Sequence, residues 1–241
     1  MELKLLNEEN FRYLCQGLTL DLHDMQVIDG VLIGLNDKNG LIEKIITHNE
    51  TLGAESTLPA DNGGQIIVIF DKYLTSGKLL ATATVTQGKK HTGLPPALHI
   101  NLHSPTLDIP QRIEIPLRYV LKGMMPLIGA YMVYLHALEI NDKETFVYYG
   151  ITKRGWMKRF TEHVRLAVKG NSDRKFPKLL GESMEARVVE LLSDINTTNK
   201  RLTGSYHVVC AAGRSKKNAS EIERYLITKR SISEKEGLNM I

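Results

Sequence analysis

Cysteine is scarce: Cys15 and Cys210 are the only two in 241 residues, and they lie far apart. That spacing excludes a disulfide-built secreted scaffold and a zinc site of clustered thiolates. It fits buried, reduced thiols in a cytoplasmic protein. Long apolar runs are also missing. The longest, Met124 to Leu135 (MMPLIGAYMVYL), is too short to span a bilayer as a helix and carries a proline and a glycine. The N-terminal MELKLLNEENF has no basic start followed by an apolar run, so no secretory leader is expected. With 8 prolines and 19 glycines the chain is neither collagen-like nor linker-dominated, and no internal repeat or low-complexity tract is visible. What is present, 42% hydrophobic and 24% charged residues, suits a globular core and is too apolar for disorder.

An excess of positive charge is missing from the first half. Residues 1–125 carry 11 Lys+Arg against 14 Asp+Glu, whereas residues 126–241 carry 20 against 13. The basic half suggests a polyanionic partner such as DNA. The acidic half suits a specificity, partner-binding or regulatory role, with Lys89-Lys90-His91 as a local basic patch. The division predicts two domains, 1–125 and 126–241.

The first half reads as β-rich, a small barrel or sandwich. After a short helix over Glu8 to Leu18 come strand candidates at Met25 to Leu35, Gln65 to Phe70, Lys78 to Thr86, Ala97 to His103 and Arg112 to Val120. His99, Asn101 and His103 share one strand face, expected to be its solvent side rather than a metal site. In the second half, Ala130 to Ile140 and Thr145 to Ile151 form a hairpin around a polar turn, Asn141 to Glu144. Arg154 to Lys169 has helical period, with Trp156, Phe160, Val164 and Ala167 as its apolar stripe. Ala186 to Leu192 and Tyr206 to Ala212 are further strand candidates, and Ala219 to Arg230 reads as a helix.

Chemistry concentrates in this half. Tyr131, Tyr148 and Tyr149 lie on the hairpin strands, Arg159 and His163 project from one helix face at i and i+4, and Glu223 lies on the last helix. Phenol, guanidinium, imidazole and carboxylate are the groups that phosphodiester hydrolysis requires. A carboxylate can hold one divalent ion, a guanidinium can neutralise developing charge, and a phenol or imidazole can take a proton from water.

These residues resemble the motifs of the GIY-YIG nuclease superfamily. Gly129-Ala130-Tyr131 stands for the first motif and Tyr148-Tyr149-Gly150 for the second. Lys158-Arg159 and His163 follow on the helix, then Glu223-Arg224-Tyr225-Leu226-Ile227, then Gly237-Leu238-Asn239. Tyr134 is a rival for the first tyrosine, and strand alternation lets only one of Tyr148 and Tyr149 reach the site.

The resemblance implies an α+β fold, with a small three-stranded antiparallel sheet flanked by helices in the C-terminal half. It implies a metal-dependent DNA endonuclease of the restriction, mobile-element, phage or repair kind. Mg²⁺ or Mn²⁺ would sit on Glu223, and Tyr131, Tyr148, Arg159 and His163 would do the chemistry. Lys158 and Asn239 would support them. Lys153, Arg154, Arg174, Lys175, Lys178, Arg214, Lys216 and Lys217 would hold the DNA backbone. Two alternatives stay open: a module that binds nucleic acid without cutting, and a nuclease controlled by an effector-binding first half.

Overall fold

Three helices open the chain: α1 (Glu8–Leu14), α2 (Leu22–Asn39) and α3 (Leu41–Leu52). Four strands follow, β1 (Gly64–Tyr73), β2 (Leu79–Gln87), β3 (Ala97–His103) and β4 (Gln111–Pro116). Then come the hairpin β5 (Tyr131–Ile140) and β6 (Glu144–Thr152), helices α4 (Trp156–Lys169) and α5 (Lys175–Ser193), strand β7 (Leu202–Arg214) and helix α6 (Lys216–Arg230). The structure, a computed structural model, describes residues 5–18, 20–52, 64–74, 76–87, 96–103, 109–170, 172–193, 200–230 and 237–239. The Lys89–His91 patch lies outside the described residues. The fold is α+β, with one mixed seven-stranded sheet in the order β2-β1-β3-β4-β7-β5-β6.

Two expected strands are helices. The segment Met25 to Leu35 belongs to α2, because Asp21 and Asp24 form a reciprocal capping box and Gly40 ends the helix with a left-handed φ of 61°. Its buried residues Met25, Ile28, Leu32 and Leu35 recur every three or four positions, the helical spacing. Asp24 also receives the buried Lys72 ammonium at 2.8 Å, tying α2 to β1. The segment Ala186 to Leu192 continues α5, whose buried Phe176, Leu179, Leu180 and Ser183 again repeat helically.

The strands of the first half extend the same sheet as those of the second. Residues Gln111 to Glu114 of β4 pair in parallel with Ser205 to Val208 of β7. One core joins Phe11, Ile28 and Ile42 of the first three helices and Phe70, Ile100 and Ile115 of the sheet to Leu127, Tyr134, Trp156 and Val209. The Trp156 indole donates to the Leu14 carbonyl at 2.8 Å. A fragment 126–241 should therefore expose β7 along one edge and the Trp156 face of α4. Expressed alone, it should show no cooperative thermal transition. A sharp melt near that of the full chain would show that the halves fold independently.

The opposite face of the first-half sheet is polar. His103 and Asn101 both reach Asp71, at 3.1 and 3.0 Å, Tyr73 stacks on His103, and His99 lies 3.6 Å from Glu114. Cys15 is buried and Cys210 half-buried, both unbridged.

Candidate active site

The hairpin β5–β6 sets the site. Its strands join through Asn141 and Asp142, both with positive φ (54° and 57°), a conformation these two residue types tolerate. The resulting register places Tyr134 opposite Gly150 and His136 opposite Tyr148. Residues directly opposite in an antiparallel pair share a face. Tyr134, His136 and Tyr148 therefore lie together on the α4/α5 side, where Phe160, His163 and Phe176 meet them. Val133, Leu135, Ala137 and Tyr149 face the other way, toward the α6 side.

Gly150 makes room for a phenol. A Cβ there would collide with the Tyr134 hydroxyl and ring, so the glycine is needed for space rather than for backbone freedom. Gly150→Ala should cost about 1–3 kcal/mol as overpacking and displace Tyr134. Urea unfolding checks this, and an unchanged midpoint would contradict it.

Further groups gather around Tyr134 and Tyr148. The Arg159 guanidinium lies beside its phenol. Burial alone would lower the Arg159 pKa, but Tyr134 and Glu162 together raise it, so the cation is held. Glu162 pairs with Arg159 and also receives Arg154 at 2.8 Å. The Tyr148 ring stands 6.5 Å from that of Tyr134 and 5.0 Å from His163, to which it is nearly perpendicular. Burial raises the Tyr148 pKa, as it does more strongly for Tyr134. His163 is buried, and among the described residues neither ring nitrogen has a hydrogen-bond partner. Burial, then Arg159 and Arg174, push its pKa down to about 4, leaving a neutral imidazole at physiological pH. Glu223 is half-buried on α6 and accepts the Ile151 backbone N–H of β6. Burial raises its pKa, and its charge bears on both Tyr134 and Tyr148.

Other expected site residues are placed differently. The structure does not bring Tyr131 into this group. It packs with Val133, Ile151, Ile222 and Leu226, with the Lys153 ammonium 5.2 Å above its ring. Tyr134, its rival, is the tyrosine of β5 that shares a face with Tyr148. Lys158 is exposed on the outer face of α4. Asn239 serves the backbone: its side-chain oxygen accepts the Tyr149 N–H at 2.9 Å and its amide donates to the Tyr149 carbonyl at 2.8 Å. With Leu238, which donates to the Val147 carbonyl, it closes the outer edge of β6.

Among the expected DNA contacts, Arg174 is the one whose charge reaches Tyr148 and His163. Lys175, Lys178, Lys216 and Lys217 are exposed, Arg154 is tied to Glu162, and Arg214 is half-buried at the end of β7. Sequence reasoning missed His136, His207 and the field of Arg174. The two histidines are 71 residues apart and meet only through sheet pairing, so no local spacing announces them.

Among the described residues no three His, Cys, Asp or Glu side chains gather as a metal-binding group. A divalent ion here would rest on Glu223 alone, with water and phosphate oxygens completing its shell, an arrangement that suits Mg²⁺. The half-buried carboxylate of Glu223, whose pKa burial raises, fits such an ion, because a cation would relieve the cost of its charge. Among the described residues no helix is long and apolar enough to cross a membrane. Comparison of the chain with protein-family models, curated proteins and solved structures finds no match.

Proposed function

We propose that the protein is a metal-dependent DNA endonuclease that hydrolyses phosphodiester bonds with a GIY-YIG-type site on the β5–β6 hairpin. The observation that carries this reading is the convergence of Tyr134, Tyr148, Arg159, His163 and Glu223 from four separate elements, with Arg174 alongside. The antiparallel trio β6-β5-β7 beneath them supports the same reading. Residues 126–241 supply the chemistry in this reading, and residues 1–125 contribute specificity or partner contacts.

Each side chain has a task set by its surroundings. Arg159, held as a cation, faces the charge that builds on the phosphate. Tyr134, beside it, hydrogen-bonds the attacking water or a phosphate oxygen. Its raised pKa favours the neutral phenol. Tyr148 contacts the phosphate from the neighbouring strand. His163, neutral and with no hydrogen-bond partner on either ring nitrogen among the described residues, takes a proton from water through its unprotonated nitrogen once substrate binds. Glu223 would hold Mg²⁺ or Mn²⁺, which when bound polarises the scissile phosphate. Arg174, Lys175 and Lys178 on one side and Lys216 and Lys217 on the other suit contacts to the DNA backbone.

Plasmid nicking with Mg²⁺, stopped by EDTA, tests the activity. Arg159→Ala should slow nicking about 100-fold or more with little change in DNA affinity by gel shift. Tyr134→Phe should be impaired by at least about tenfold, while Tyr131→Phe and Tyr149→Phe stay near wild type. Wild-type protein that binds DNA but never nicks it would favour the non-catalytic module. An inert Tyr131→Phe beside an active Tyr134→Phe would return the site to the other face of β5.

A further inference from the structure

Behind the candidate site lie two buried rings, His136 and His207, that the proposed chemistry does not use. In sheet register, His207 of β7 stands opposite His136 of β5, which stands opposite Tyr148 of β6. The Nδ1 atoms of His136 and His207 are 2.9 Å apart. The Nε2 atom of His207 lies 3.3 Å from the side-chain amide nitrogen of Gln111 on β4. Both histidines are buried, at 0% and 1% exposure. Trp156 stacks on His207 at 4.9 Å, and Phe160 stands edge-on to both rings.

Counting protons gives this chain a direction. An amide nitrogen only donates, so Nε2 of His207 accepts and carries no hydrogen. A neutral imidazole has one N–H, which in His207 must then sit on Nδ1. That N–H points at Nδ1 of His136, which accepts and leaves the His136 proton on Nε2. Burial keeps both rings neutral, lowering the His207 pKa to about 3 and that of His136 well below its ordinary value. Tyr134, Tyr148 and His163 surround His136 at ring-centroid distances of 4.5, 6.5 and 6.0 Å, and among the described residues its Nε2 has no hydrogen-bond partner. The chain thus ends in a buried donor set among the rings of the candidate site.

We infer that Gln111, His207 and His136 form a one-way hydrogen-bond chain that locks His136 as its Nε2–H tautomer and so fixes the ring positions of Tyr148 and His163. These are positioning residues; none is proposed to touch the reacting phosphate. The inference rests on the nuclease reading for its consequence but not for its geometry. The charged groups facing this region are Arg159 and Glu162 of α4, Arg174 before α5 and Glu223 of α6. Each acts on the front of the site, whereas Gln111 approaches from behind.

The test reads the tautomers directly, by long-range ¹H–¹⁵N imidazole spectra of the full chain at pH 8. Wild type should show His136 as Nε2–H and His207 as Nδ1–H. Gln111→Glu keeps the shape but replaces the donor with an acceptor, so both tautomers should invert. The nicking rate should then fall about tenfold with DNA affinity unchanged, as for other positioning groups behind a site. Gln111→Leu, which offers neither donor nor acceptor, should leave the two tautomers mixed. His136 as Nδ1–H in wild type, or tautomers indifferent to both Gln111 variants, would overturn the hydrogen-bond chain. Inverted tautomers with an unchanged nicking rate would overturn its positioning role. If wild type never nicks DNA while the tautomers behave as stated, the nuclease reading fails and the chain itself stands.

Discussion

Glu223→Gln should reduce plasmid nicking about a thousandfold and, without Mg²⁺, should raise the melting temperature. The first effect follows from the proposed metal role, since Glu223 is the carboxylate whose charge bears on both Tyr134 and Tyr148. The second follows from linkage. Burial raises the Glu223 pKa in the folded protein, so the unfolded chain gives up this proton more readily. Stability is therefore lost as pH rises from the unfolded value, about 4.3, through the folded one, and the full loss is present once pH exceeds the folded value. Glutamine, nearly the same shape and uncharged, avoids that loss. Mg²⁺ should reverse the order by stabilising wild type and leaving the variant unmoved. Melts at pH 7 with and without Mg²⁺, read beside nicking rates, check both parts. A variant that cuts normally, or whose melting temperature responds to Mg²⁺ as wild type does, would remove Glu223 from the metal role. Glu221, exposed two residues earlier on α6, is the control: Glu221→Gln should change neither rate nor melt.

The second large effect is loss of stability in mild acid. His136, His163 and His207 are buried and neutral, with pKa values of about 4 for His163, about 3 for His207 and well below the ordinary value for His136. Unfolding exposes them to water, where histidine titrates near 6.5. The sign is fixed: the unfolded state binds more protons below about pH 6.5, so stability falls as pH falls. Above that value the effect is absent. Each ring contributes about 1.4 kcal/mol per pH unit once the unfolded state is protonated and the folded state is not. Three together remove on the order of 5 kcal/mol by pH 5, comparable to the whole stability of many domains. Arg159 and Arg174 oppose a proton on His163, and only Glu162 favours one. Urea titrations at pH 7 and pH 5 should show a steep drop in midpoint, and His163→Asn should flatten the dependence by about a third. A midpoint unchanged between those pH values would mean that these rings are charged or open to water in the folded protein.

The hairpin shows how far the sequence could be read and where it misled. Its two strands, the helix after it and the last helix are all visible as periodic runs bounded by polar turns. The residue types of the site are visible too. The pairing register was not, because it depends on one residue of the turn. A loop of four residues, Asn141 to Glu144, would set Ile140 opposite Thr145 and put Tyr148 on the face of Tyr131. The actual pairing of Ile140 with Glu144 shifts everything by one, and Tyr148 shares its face with Tyr134 instead. Positive φ at both Asn141 and Asp142 is what tightens the turn. In the first half, the β-branched and apolar content of Met25 to Leu35 suggested a strand. The three-and-four spacing of its buried residues and the Asp21–Asp24 cap carried the opposite and stronger signal. Sheet partners such as His136 and His207 had no signal in a single sequence, since only the finished pairing brings them together.

The place of β7 governs how such a molecule can assemble. Among the described residues it is the last strand, yet it lies fifth in the sheet, between β4 of the first half and β5 of the second. Pairing Gln111 with Ser205 closes a span of more than ninety residues, so the entropic cost of that closure comes before most of its reward. Until β7 arrives, β4 and β5 each present an unsatisfied edge, which is where a half-formed chain would stick to another copy. Slow, concentration-sensitive refolding is the expected behaviour of this topology, and the same strand brings His207 to His136.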